Sequence, residues 1–253
     1  MGKEPVGNSV YFRTGTINFY FTVSMKKIMF NDKYTLTDAV LRGTKTMTRR
    51  AEKGLENLEE GNFCYSKHNK GILLYGEKGS VIETIKTRYK LGEVVAVAQS
   101  YCDVYDEYQI DTSFVKWCKA NGKDYYEEYH TMKVLQQTAG YHNKLFVKSC
   151  LMPHQIRITD IKIERLQEIS DEDCLKEGVQ MFDSPNGKLY IAGGVDVGDE
   201  VRMKIKKGIV SLANSFYTPR ESFAALIEKP GVGRKGLWDE NPYVVAYSFE
   251  LIK

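Results

Sequence analysis

The sequence predicts an α+β fold, and three observations carry that prediction. Apolar and polar residues alternate over 156–166 and again over 243–251, the period of strands with one face buried. Capping signatures open helices at Ser170 and at Thr218-Pro219. The first alternation also slips phase: Ile156 and Ile158 share one parity, Ile161 and Ile163 the other. A bulge or bend at Thr159-Asp160 puts all four on one side, and small barrels use such bends to close.

In chain order, residues 1–24 read as an N-terminal extension. The apolar run 17–23 is interrupted at Asn18 and followed by no small-residue cleavage pattern, so Met25 is the natural beginning and an added strand the alternative. Ile28 and Phe30 are spaced as one face of a short strand, and Thr37 to Arg42 as a short helix ended by Gly43. Residues 51–90, with Gly61, Gly71, Gly76 and Gly79, read as a long loop with a hairpin around 71–79. Val94 to Ala98 has the β-branching of a buried strand. The period then changes: Tyr125, Tyr129, Met132, Leu135 and Ala139 predict an amphipathic helix ending at Gly140, preceded by a shorter one at 113–120. Its tyrosines and lysines are either core and solvent face or a base-stacking surface for single-stranded RNA. Past the helix from Ser170 to Gly178, a hairpin-like segment at 188–192 leads to a strand at 201–206 with one apolar and one basic face. The helix after Thr218 runs through Phe223, Leu226 and Ile227 and stops at Pro230-Gly231, and the last strand turns Tyr243, Val245, Tyr247, Phe249 and Leu251 inward. No repeat or linker divides residues 25–253, which read as one domain.

The chemistry concentrates in Gly43-Thr44-Lys45-Thr46-Met47-Thr48-Arg49-Arg50. A hydroxyl beside an amine is a nucleophile with its base, or a pair of anion-binding groups; a solvated basic strand edge is the plain alternative. In a regular strand Lys45, Met47 and Arg49 share one face and Thr46, Thr48 and Arg50 the other, so Lys45 meets Thr48 only across a turn or bulge. Glu177 stands in the last turn of its helix, the unfavourable end of the dipole, where a partner such as Lys45 relieves it.

This eight-residue stretch resembles the G-x-K-x-x-T-x-R signature of the ASCH family. Leu91-Gly92-Glu93 with the strand after it, the long strand at 156–166, the helix from Ser170 to Gly178 and the closing strand resemble further family segments in the same order. Leu151-Met152-Pro153-His154 and Trp238-Asp239-Glu240-Asn241-Pro242 resemble its larger phage and prophage branch. The resemblance implies a PUA-like small β-barrel with flanking helices and two large insertions, the added segments falling at about 51–90, 103–147 and 179–236. It also implies RNA or a modified nucleoside as partner. Some small bacterial members are amidohydrolases of 4-acetylcytidine. Carried over by position, their lysine, threonine and glutamate fall on Lys45, Thr48 and Glu177, with Thr48 as nucleophile and Lys45 as base. Thr46, Arg49, Arg50 and Arg157, with Lys204 and Lys206, are then candidates for substrate or phosphate contact. A non-catalytic RNA-binding module and a phage-encoded interaction protein are the alternatives.

Composition narrows the classes. Thirty-six basic against 33 acidic residues leave +3, so nucleic-acid contact requires local clustering of charge. Five cysteines without a CxxC point to a reducing cytoplasm rather than a disulfide framework. No segment approaches the run of about 18 apolar residues that spans a bilayer, so no membrane partner is expected. Cys64-x-x-x-His68 and Cys150-x-x-x-His154 are a weak zinc pattern, and neither a metal nor an organic cofactor is expected.

Overall fold

The computed structural model describes residues 25–59, 62–68, 71–76, 79–103, 137, 139–149, 152–193, 198–211 and 213–252. The amphipathic helix expected at 125–139, the shorter one before it, the 1–24 extension and Cys150 of the zinc pattern lie outside these residues, except that Ala139–Tyr141 forms a 3-10 turn.

The described chain runs β1 (Lys27–Ile28), α1 (Leu36–Leu41), β2 (Met47–Arg50), β3 (Phe63–Ser66), β4 (Gly71–Tyr75), β5 (Val81–Lys86) and β6 (Val94–Val97). It continues with β7 (Gln155–Arg165), α2 (Asp171–Lys176), β8 (Gln180–Ser184), β9 (Gly187–Ile191) and α3 (Asp199–Lys206). The last elements are β10 (Ser215–Phe216), α4 (Pro219–Ile227), α5 (Leu237–Glu240) and β11 (Tyr243–Ile252). Among the described residues these strands form three open sheets: β1-β6-β7-β11-β2, β10-β9-β8 and β3-β4-β5. The expected closed barrel is therefore corrected to a mixed α/β arrangement. The five-stranded sheet ends in two edges, β1 and β2, that do not pair with each other; β1 runs parallel to β6 and every other pair is antiparallel.

The phase slip in β7 is a bulge. Ser248 pairs with Asp160 and Phe249 with Ile158, leaving Thr159 as the extra residue, and Ile156, Ile158, Ile161 and Ile163 all enter one core. That core holds Ile28, Val95, Val97, Val245 and Tyr247 from the sheet with Phe30 just after β1, and α1 and the β3-β4-β5 sheet cover it with Leu36, Val40, Ile72, Leu74 and Ile85. On the opposite face Val244 packs with Cys174 of α2 and with Phe223 and Ile227 of α4. β11 is thus buried on both faces from Tyr243 to Tyr247, not on one as its alternation suggested, because helices occupy the side that alternation assigns to solvent.

Two further segments differ from expectation. Residues 63–86 are a three-stranded antiparallel sheet rather than a long loop, with the hairpin between β4 and β5. Residues 199–206 are helical: Val201 and Ile205 are four apart as well as same-parity, Asp199 and Glu200 open the first turn, Lys204 and Lys206 close the last, and Ile205 is buried. At Thr218 the capping box forms as read, its hydroxyl accepting from the Glu221 amide.

Candidate functional site

Gly43 takes φ +72° after α1, and the backbone N–H groups of Thr44 and Lys45 both donate to the Ala39 carbonyl, which turns the chain into β2. The Thr46 N–H donates to the Lys176 carbonyl at 2.9 Å and so pins this loop to the end of α2. Gly178, at φ +103°, allows the close approach: a Cβ there would stand 3.2 Å from Leu36 and 3.6 Å from the Lys45 Cδ. Glu177, the C-cap of α2, consequently faces Lys45.

Lys45 and Glu177 form a buried ion pair, Nζ to Oε2 2.7 Å, with side-chain exposures of 3% and 5%. The ammonium also donates to the Glu177 carbonyl at 2.6 Å and to the Met47 carbonyl at 2.8 Å, so three acceptors surround its three N–H bonds. The Met47 carbonyl belongs to the peptide bond that leads into Thr48, so the ammonium lies against the backbone carrying the candidate nucleophile. Burial pushes Lys45 below the ordinary lysine value; Glu177 opposes that shift, and Arg50 and Arg49 add to it.

Thr48 is 6% exposed and pairs with Tyr247, so its side chain projects to the main-core face together with Arg50. Among the described residues no hydrogen bond joins its hydroxyl to Lys45, Glu177 or any other partner. The three candidates are therefore unequally joined: lysine and glutamate touch, and among the described residues threonine is bonded to neither.

Arg49 points to the opposite face into a nest of three carboxylates, of which the sequence singled out only Glu177. Its Nε donates to Glu164 at 2.7 Å, Nη2 to Asp173 at 3.0 Å and Nη1 to Glu177 at 3.1 Å. Burial opposes its charge, but Glu177 and Glu164 outweigh burial and raise its pKa. Lys162 approaches the other Glu164 oxygen as an ion pair that lacks hydrogen-bond geometry. Arg49 is thereby committed to the protein. Arg50 differs: Nη2 donates to the Met29 carbonyl at 2.7 Å, while the buried Nε has no partner among the described residues.

No family model, curated protein or solved structure matches this chain.

The other candidates lie outside the cluster. Thr46 contributes backbone bonds, its carbonyl accepting from the Phe249 N–H at 2.8 Å. Arg157 is half-exposed and paired with Glu250 at 3.0 Å, seven residues along β7 from Glu164 and so roughly 20 Å away. Lys204 and Lys206 are on α3, paired with Glu200 and Asp183. Phe30, which the sequence did not single out, has both Lys45 Nζ and Arg50 Cζ 5.8 Å from its ring centroid. Glu164 carried a signal of its own: it is a carboxylate of the parity opposite to Ile161 and Ile163, in a strand whose other face also packs. Among the described residues no cluster of three or more histidine, cysteine or acidic side chains could hold a metal, and His154 instead shares a 2.8 Å hydrogen bond with Gln99. No helix among them is long and apolar enough to cross a membrane.

Proposed function

We propose that this chain acts on an acylated pyrimidine nucleoside or a related amide, as the ASCH-like signature at 43–50 suggests, cleaving the acyl group from an exocyclic amine. The observation that carries the reading is the 2.7 Å contact between Lys45 and Glu177, which stand 132 residues apart in the chain. Burial holds Lys45 below the ordinary lysine value and so brings its neutral amine, the form that can accept a proton, within reach. The Thr48 oxygen then attacks the amide carbon and its proton passes to Lys45. The C–N bond breaks with its electron pair on the exocyclic nitrogen, which takes that proton back from Lys45, while Glu177 holds the lysine in position. Water next cleaves the threonyl ester, releasing the carboxylic acid and restoring the hydroxyl. Incubation with 4-acetylcytidine tests this: wild type should release cytidine and acetate, and Thr48→Ala should lose about a hundredfold or more of that rate. Equal turnover by the two, or none by either, rejects it.

A second reading has its own support. Lys45 has no N–H to spare and Thr48 is 6% exposed, features suited to a rigid module that binds a nucleoside or RNA without cleaving it. Salt-sensitive RNA binding without turnover favours this alternative.

A further inference from the structure

Glu177 serves two cations, one on each oxygen: Lys45 Nζ lies 2.7 Å from Oε2 and Arg49 Nη1 3.1 Å from Oε1. The Arg49 side chain is 2% exposed, and its other nitrogens donate to two further carboxylates, Nε to Glu164 at 2.7 Å and Nη2 to Asp173 at 3.0 Å. A planar fork gripped at three points is fixed in orientation, so the carboxylate it holds is fixed as well, with Oε2 turned to the lysine. The two outer carboxylates do not claim the guanidinium's charge undivided. Asp173 is also paired with Lys176 at 3.0 Å and Glu164 with Lys162, both lysines standing at the exposed rim. Part of the charge on Arg49 is therefore left to Glu177, and part of the charge on Glu177 is withdrawn from Lys45. Among the described residues the Lys45 ammonium faces Glu177 from α2, Arg49 and Arg50 from β2, and the Phe30 ring from the segment after β1. Burial holds the lysine below its ordinary value, both arginines add to that effect, and Glu177 opposes it.

We propose that Arg49 is a positioning residue of the Lys45–Thr48–Glu177 centre: by holding Oε1 it fixes Oε2 on the lysine and weakens the carboxylate's grip on the ammonium proton, and Glu164 and Asp173 set how strongly it does so. The inference rests on the hydrolase reading for the lysine's task, but the proton on Lys45 can be followed without turnover. NMR of the full chain labelled at the lysine Cε, with Lys45→Met identifying the signal, reads the titration midpoint of Lys45 directly. Arg49→Gln should raise that midpoint by about one pH unit, because Glu177 is then left to the lysine alone. Glu164→Gln, nearly isosteric, and Asp173→Asn should each lower it by about half a pH unit, because each frees positive charge on Arg49. Sign separates this role from a merely structural one: loosened packing admits water and moves every variant upward, towards the ordinary 10.5. A midpoint that fails to rise in Arg49→Gln, or fails to fall in both carboxylate variants, overturns the proposal. Thermal midpoints verify that each variant is folded; if Arg49→Gln is not, the two neutralised carboxylates decide. On 4-acetylcytidine, the higher midpoint leaves about tenfold less neutral amine near neutral pH, so the kcat of Arg49→Gln should fall about tenfold with KM little changed. An unchanged kcat beside a raised midpoint removes Lys45 as the base and Arg49 from the reaction. Midpoints that move as expected in a protein without cleavage reject the hydrolase and keep the hold of Arg49 on the lysine, whereas cleavage with unmoved midpoints does the reverse.

Discussion

Lys45 spends every N–H on the protein, and that makes its ion pair with Glu177 hard to break from one side. Removing one member of a buried pair strands the other charge, at a cost of about 3–5 kcal/mol, whereas replacing both with apolar side chains removes both desolvation penalties. Glu177→Leu alone should therefore destabilise more than Lys45→Met with Glu177→Leu together, as read from urea midpoints; a double variant that loses the sum of the singles contradicts the coupling. Rate should depend on pH in the same terms. A base held below the ordinary lysine value of 10.5 gains activity as pH rises, with an inflection under that value. This pairing was legible, because a carboxylate at a helix C-terminus calls for a cation. The split between Arg49 and Arg50 was not: the sequence makes them adjacent arginines, and the carboxylates that claim Arg49 come from 115 and 124 residues away.

At the level of elements, the bulge at Thr159 can be tested by subtraction. Deleting Thr159 lets Asp160 follow Ile158 as Ser248 precedes Phe249, giving a regular ladder with all four isoleucines still on one face. Deleting Lys162 makes Ile161 and Ile163 neighbours and turns one of them out of the core. Thermal denaturation should leave the first variant folded with a modest loss and the second severely destabilised; equal damage would mean that facing does not set the cost. The strand–bend–strand pattern was legible because period and phase are local properties. The helix at 199–206 was not, since Val201, Met203 and Ile205 also fit a strand, and packing of Ile205 decides between the two. The barrel failed for a related reason. A bend is local, but closure depends on whether two distant edges meet, and here β1 and β2 do not pair.

For the whole molecule, a net charge of +3 conceals a strongly charged interior in which Arg49 and its carboxylates hold α2 against the sheet. Burial works to raise the Asp173 carboxyl, but hydrogen bonds from Lys176 and Arg49 outweigh it and keep the group below its ordinary 3.8. The unfolded chain therefore takes up that proton first as acid is added. The contribution of Asp173 to stability is complete above 3.8 and is lost as pH falls through the lower folded value. Unfolding free energies measured down the acid limb should fall less steeply for Asp173→Asn than for wild type, and parallel curves would exclude the link. The sheet order has a consequence for synthesis as well. β11 separates β7 from β2, so a nascent chain on the ribosome can join β1, β6 and β7 but leaves β2 without a strand partner until residues 243–252 emerge. Throughout that interval β2 and the open side of β7 present bare strand edges, and the late arrival of one ten-residue segment closes the period in which a chaperone or a wrong partner could take them.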